Sequence, residues 1–189
     1  MVARSNRVSL KMNKEELAVE IHKKAHLTGD FLLRSGQRSN EYFDKYLFES
    51  DPQLLMAIIK EMKLLIPKDT ELLAGLEMGG IPLVTALSIE TGVVCAFVRK
   101  KAKEYGTCKI AEGGEVSGKK ICVIEDVVTT GGQIIKSVQE LRDRGGIVEN
   151  VLCVIQRNPD ASEILAKEGL ALKPVLTMEY INEAARKAK

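Results

Sequence analysis

Two rhythms of apolar residues divide the chain. Between 14 and 27, Leu17, Ala18, Ile21 and Ala25 recur at helical spacing, with Asn13 placed to cap the first turn. Thr28, Gly29 and Asp30 read as a loop, and Ser35 to Asn40 as a stretch of turn formers. Asp51-Pro52 opens a second helix, whose stripe of Leu54, Leu55, Ile58, Ile59, Met62 and Leu65 stops at Pro67. Beyond it the apolar residues come in short continuous runs: Leu72–Leu76, Val93–Val98, Ile121–Ile124, Val148–Ile155 and Leu172–Thr177. Residues 81–90, 132–144 and 161–168 between them read as helices. Continuous apolar runs of strand length mean strands covered on both faces, which a parallel sheet with helical crossovers provides. The pattern predicts one α/β domain over residues 1–189, a central, mostly parallel sheet flanked by helices. A small hood comes from about residues 1–50 and the C-terminal segment.

Composition excludes more than it assigns. With 28 Lys plus Arg against 26 Asp plus Glu, the net charge of +2 is too balanced for a surface that coats nucleic acid. No apolar run approaches the roughly 20 residues of a bilayer-crossing helix. The basic start, Met1 to Leu10, is not followed by the apolar stretch of a secretion signal. Cys95, Cys108, Cys122 and Cys153 form no CxxC pair and have no histidine nearby, so reduced thiols fit better than a zinc site or disulfides. The expectation is a cytoplasmic protein that binds neither nucleic acid nor membrane.

The chemistry is concentrated in Ile121–Gln133. A buried strand delivers Glu125 and Asp126 at its C-terminal end, where open α/β sheets place ligands. Val127, Val128, Thr129, Thr130, Gly131, Gly132 and Gln133 follow and lead into a helix. Free N–H groups at a helix start, beside Thr hydroxyls and close-approach glycines, make a phosphate cradle. The two carboxylates suit sugar hydroxyls or a hydrated Mg²⁺. A cradle beside two acids points to a phosphorylated sugar; a polar helix cap would account for the threonines and glycines alone, but not for the acids. The chain has neither GxxxxGK[ST] nor GxGxxG, which removes P-loop NTPases and the usual dinucleotide fingerprint. A second concentration, Arg99 to Lys109, holds five basic residues and one acid. By itself it reads as a solvated loop.

The run from Ile121 to Gln133 resembles the signature with which phosphoribosyltransferases hold 5-phosphoribosyl 1-pyrophosphate (PRPP). Phe97-Val98-Arg99-Lys100 with Ala102-Lys103-Glu104-Tyr105-Gly106 resembles the catalytic loop of the orotate-specific family, which reaches into the neighbouring subunit's site. Phe31 to Gly36 with Ser39, Tyr42, Phe43 and Asp44 is similar to that family's pyrimidine-binding segment. Gly75 to Pro82, with Met78, Gly79 and Gly80 at its centre, is similar to its pyrophosphate-binding turn. Arg157, after Gln156, stands where the family places an orotate-contacting arginine. Four positions depart from the pattern: Tyr105 where His is common, Arg34 and Gly79 where Lys is found, and Gln156 in place of an acid.

The resemblance implies the type I phosphoribosyltransferase fold and transfer of ribose 5-phosphate from PRPP to orotate, in pyrimidine biosynthesis. It implies Thr129, Thr130, Gly131 and Gly132 around the 5′-phosphate, and Glu125 and Asp126 on the ribose. Arg99, Lys100 and Lys103 would meet the pyrophosphate, Tyr105 would belong to the PRPP site with them, and Tyr42, Phe43, Thr129 and Arg157 would meet the orotate. Lys103, Arg99, Lys100 and Asp126 are the catalytic candidates. It further implies Mg²⁺ held mainly by PRPP, with no fixed protein ligand assigned, and a homodimer. Two alternatives stand beside it: a purine or uracil acceptor, and a non-catalytic nucleotide- or RNA-binding regulator on the same fold.

Overall fold

The computed structural model describes residues 12–32, 36–101 and 110–188. Helix α1 (Lys14–Ala25) starts at a reciprocal cap: Asn13 Oδ1 accepts from Glu16 N at 2.9 Å, and Glu16 Oε2 accepts from Asn13 N at 2.8 Å. A short helix α2 (Tyr46–Glu49) precedes α3 (Pro52–Leu65). Asp51 caps α3 by accepting from Gln53 N and Leu54 N, with Pro52 in the first turn.

Between α1 and α2, residues predicted as loop and turn form an antiparallel hairpin, β1 (His26–Leu32) and β2 (Arg38–Phe43), in register from His26↔Phe43 to Leu32↔Arg38. Both strands are largely exposed and polar, so no alternation of period two marks them.

Six strands make the main sheet: β3 (Leu72–Leu76), β4 (Cys95–Val98), β5 (Ala111–Gly113), β6 (Lys120–Val128), β7 (Ile147–Gln156) and β8 (Ala171–Thr177). Their order is β5-β4-β3-β6-β7-β8, parallel throughout except for β4 with β5. Helices α4 (Gly80–Thr91), α5 (Gly132–Arg142) and α6 (Ala161–Ala166) are the crossovers. The fourth strand begins at Cys95, not at 93, because Gly92 ends α4 in the left-handed region at φ 76°. A terminal helix, α7 (Met178–Lys187), absent from the predicted elements, starts at Thr177, whose hydroxyl accepts from Tyr180 N at 3.1 Å.

Strand pleating sorts the core into two layers. Leu73, Cys122, Ile124, Leu152 and Val154 pack with residues of α1, α3, α4 and α7. Leu72, Ala74, Ile121, Val123, Val151 and Cys153 pack with residues of α5 and α6. Chain order reverses between β3 and β6: β3 continues through α4 to β4 on one side, β6 through α5 to β7 on the other. Loops leaving the carboxyl ends of these two strands diverge and leave a crevice, the usual ligand position of an open α/β sheet.

Candidate active site

The crevice is a cavity of about 380 Å³ between Glu77–Met78, the 125–134 segment, Lys45, Tyr46 and Lys100. β6 supplies its floor. The strand pairs β3 only as far as Ile124 but runs on beside β7 to Val128, so its last residues stand free of β3 at the mouth. Asp126 falls on the same strand face as Cys122 and Ile124 and is 1 % exposed, while Glu125 falls on the opposite face.

Asp126 holds the site together. Its Oδ1 accepts from Val127 N, and its Oδ2 forms an ion pair with Lys45 Nζ. Burial disfavours the Asp126 carboxylate, but the hydrogen bond from Glu125 and the Lys45 ammonium outweigh it, so its carboxyl titrates below the usual range. Glu125 moves the other way: burial, reinforced by the hydrogen bond to ionised Asp126, holds its carboxyl well above the usual range. The adjacent acids are thus pushed apart, Asp126 toward the ionised form and Glu125 toward the protonated one. Burial also works against the Lys45 ammonium, but the Asp126 hydrogen bond and charge prevail and keep it charged.

The 77–80 turn presses onto this pair. A Cβ at Gly79 would overlap the Asp126 carboxylate, and one at Gly80 would overlap the Ile124 carbonyl, so only glycine lets the turn approach. The Glu77–Met78 peptide bond is cis. Glu77 Oε1 accepts from Lys100 N at 2.9 Å, which ties the start of the basic run to the turn.

Across the cleft, Thr129 and Thr130 are exposed and Gly131, at φ 77°, turns the chain into α5. No side chain caps this helix start, so its first N–H groups are open to an anion. Lys100 faces the same cleft. Arg99 lines an adjoining groove of about 470 Å³ with Gln133 and Lys136, and its Nε lies 3.8 Å from Glu112. Lys103, Tyr105 and Arg34 lie outside the described residues.

The acceptor candidates line the periphery. Tyr42 packs against Phe31 at 5.4 Å between ring centroids and Phe43 against Phe48 at 6.4 Å, and neither Tyr42 nor Phe43 lines the cleft itself. Arg157 is exposed beside the cradle, its N–H bonded to the Val128 carbonyl at 2.8 Å. The preceding Gln156 is buried and donates to the carbonyls of Asn158 and Pro159 at 3.1 and 3.0 Å and to Ser162 Oγ at 2.9 Å. A carboxylate could make none of these donations, which accounts for Gln156 in place of an acid.

Two residues of the site escaped sequence reasoning. Lys45 provides the ion pair to Asp126, and Glu49 lies buried one helical turn further on. Their signal was a spacing of four around Phe48, just before the Asp51-Pro52 helix start.

Among the described residues, no cluster of three or more His, Cys, Asp or Glu side chains could hold a metal ion, and no helix is long and apolar enough to cross a membrane. Residues 50–173 match the family described as a phosphoribosyl transferase domain. An orotate phosphoribosyltransferase from a Nocardioides species is 52 % identical over 172 residues, covering 91 % of this chain and 96 % of that protein. The crystal structure of Mycobacterium tuberculosis orotate phosphoribosyltransferase in complex with Fe(III) dicitrate superposes with a TM-score of 0.80 at 30 % identity, covering 89 % of this chain and 98 % of that one. The same enzyme in complex with PRPP gives 0.76 at 28 % identity with the same coverage. Matched over most of its length in both sequence and fold, the chain belongs to the phosphoribosyltransferase family and, within it, to the orotate phosphoribosyltransferases.

Proposed function

We propose that this chain transfers ribose 5-phosphate from PRPP to N1 of orotate, releasing pyrophosphate and forming orotidine 5′-monophosphate. The observation that carries the reading is the strand end at which the adjacent acids Glu125 and Asp126 run directly into an uncapped helix start. The M. tuberculosis relative crystallised with PRPP supports the same donor here.

Each residue then has a physical task. Thr129 and Thr130 with the N–H groups after Gly131 hold the 5′-phosphate through charge-assisted hydrogen bonds. Glu125 and Asp126 hold the ribose hydroxyls while the ring gains oxocarbenium character. A protonated Glu125 can donate to a hydroxyl and an ionised Asp126 can accept from one. Arg99, Lys100 and Lys103 meet the departing pyrophosphate, and Tyr105 belongs to the same PRPP-binding loop. Arg157 pairs the orotate carboxylate, with Tyr42 and Phe43 enclosing the ring. Orotate N1 is the nucleophile, so positioning and charge stabilisation supply the rate. No fixed protein ligand is assigned to Mg²⁺, which PRPP's own oxygens would carry. Mg²⁺ bound that way would offset the negative charge developing on pyrophosphate. We further propose a cytoplasmic homodimer in which part of the 99–109 loop serves the neighbouring site.

Mixing the chain with Mg²⁺, PRPP and orotate and following orotate absorbance tests the reaction. Absorbance falls if the reading holds, and a flat trace rejects it. Lys103→Ala is expected to lower turnover by about 10²–10⁴-fold, the range for losing a positioned charge; full turnover removes Lys103 from the site. Sedimentation analysis reports the dimer, and a monomer at all concentrations overturns it.

A further inference from the structure

We propose that Lys45 binds the pyrophosphate of PRPP beside the 77–80 turn; this deepens the function above and rests on it. The geometry centres on one oxygen. Asp126 Oδ2 is paired with the Lys45 ammonium, and the Cβ position of Gly79 falls on that same oxygen. Lysine, turn backbone and carboxylate therefore meet at one point.

Only one side of this junction is open. The Asp126 side chain is 1 % exposed and that of Lys45 33 %, so the ammonium is the part a ligand can reach. The Lys45 ammonium is the one ion-pair partner that the described residues give Asp126 Oδ2. The cleft wall carries three carboxylates, Glu77, Glu125 and Asp126, and two lysines, Lys45 and Lys100. A ligand phosphorylated at both ends needs a cation at the end away from the Thr129–Gly132 cradle. Lys45 stands beside the 77–80 turn, where its partner Asp126 Oδ2 meets Gly79.

Its position is fixed in advance. Asp44 N donates to the Ala25 carbonyl at 2.8 Å and Asp44 Oδ1 accepts from Tyr46 N at 3.0 Å. Phe48 is fully buried and anchors the same short helix. An ammonium so held loses little freedom on meeting a phosphate oxygen.

Titration calorimetry on the whole chain separates ligand binding from mere support of Asp126. Inorganic pyrophosphate with Mg²⁺ probes the turn end, and ribose 5-phosphate probes the sugar and cradle. Lys45→Met is expected to weaken pyrophosphate at least about tenfold, the loss of one charge-assisted contact, and to weaken ribose 5-phosphate distinctly less, only through the Asp126 charge that the lysine supports. Lys45→Arg is expected to restore most of the loss. In turnover, KM for PRPP rises while KM for orotate stays. Equal weakening of both probes, or of neither, overturns the proposal. Lys45→Gln, which keeps a polar head against Asp126, repeats the comparison should the Met variant unfold. If wild-type protein consumes no orotate yet its pyrophosphate binding depends on Lys45, the proposed reaction falls and the lysine assignment stands.

Discussion

Glu49 is 5 % exposed, and neither carboxylate oxygen has a hydrogen-bond partner among the described residues. Burial first, then the charge of Asp126, pushes its carboxyl up to about 8 from an ordinary value of 4.5. Between those values the folded chain keeps a proton that the unfolded chain has lost, so stability falls as pH rises through this window. Glu49→Gln removes the dependence. Its thermal midpoint is expected to exceed wild type at pH 8, by about 2–4 °C per kcal/mol recovered, and to match it near pH 4. Melting curves across that range decide it; equal midpoints at pH 8 would show that Glu49 is not held protonated. Gly79→Ala tests the turn, since its Cβ overlaps the Asp126 carboxylate. Displacing that carboxylate is expected to lower kcat/KM by about 10–100-fold, as small misplacements at a reacting centre do. Steady-state kinetics with orotate and PRPP checks it, and wild-type values would mean the turn shifts freely.

At the scale of elements, legibility followed the local signal. The β6 to α5 run was readable because buried strand, acidic pair, glycine turn and helix follow each other in one segment. The hairpin at 26–43 was not, since its strands bury almost nothing and their polar residues mimic a loop. Strand β5, three residues long and antiparallel at the sheet edge, offered no window long enough to show a period. Lys45 lay hidden for a related reason: its partner Asp126 is remote in sequence, and only the fold brings them together. Gln156 shows one element supporting another, because its amide braces the turn that carries Arg157. Gln156→Glu sets an acceptor against two carbonyls and is expected to cost about 1–3 kcal/mol in urea unfolding and to raise KM for orotate. A variant unchanged in both would leave Gln156 with no part in placing Arg157.

For the whole molecule, the net charge of +2 is an average over unlike parts. Residues 99–109 hold five of the 28 basic residues and one of the 26 acidic ones, so the rest of the chain is −2. Attraction for a polyanion is therefore local, and raising salt from 50 to 500 mM is expected to increase KM for PRPP several-fold while affecting KM for orotate less. Parallel kinetic series at the two salt concentrations check it; equal sensitivity would place the attraction elsewhere. The sheet covered on both faces was legible from its continuous apolar runs, but the strand order was not, because any parallel arrangement buries such runs equally well. That order sets how the molecule can be altered. The strands that flank the reversal feed loops of separate crossovers, so under the proposed reaction the donor grip resides in the 77–80 and 125–133 loops. The acceptor side resides in 26–43 and 156–158. A new acceptor base could therefore be sought by exchanging those outer segments as a cassette, without rebuilding the strand ends that grip the sugar.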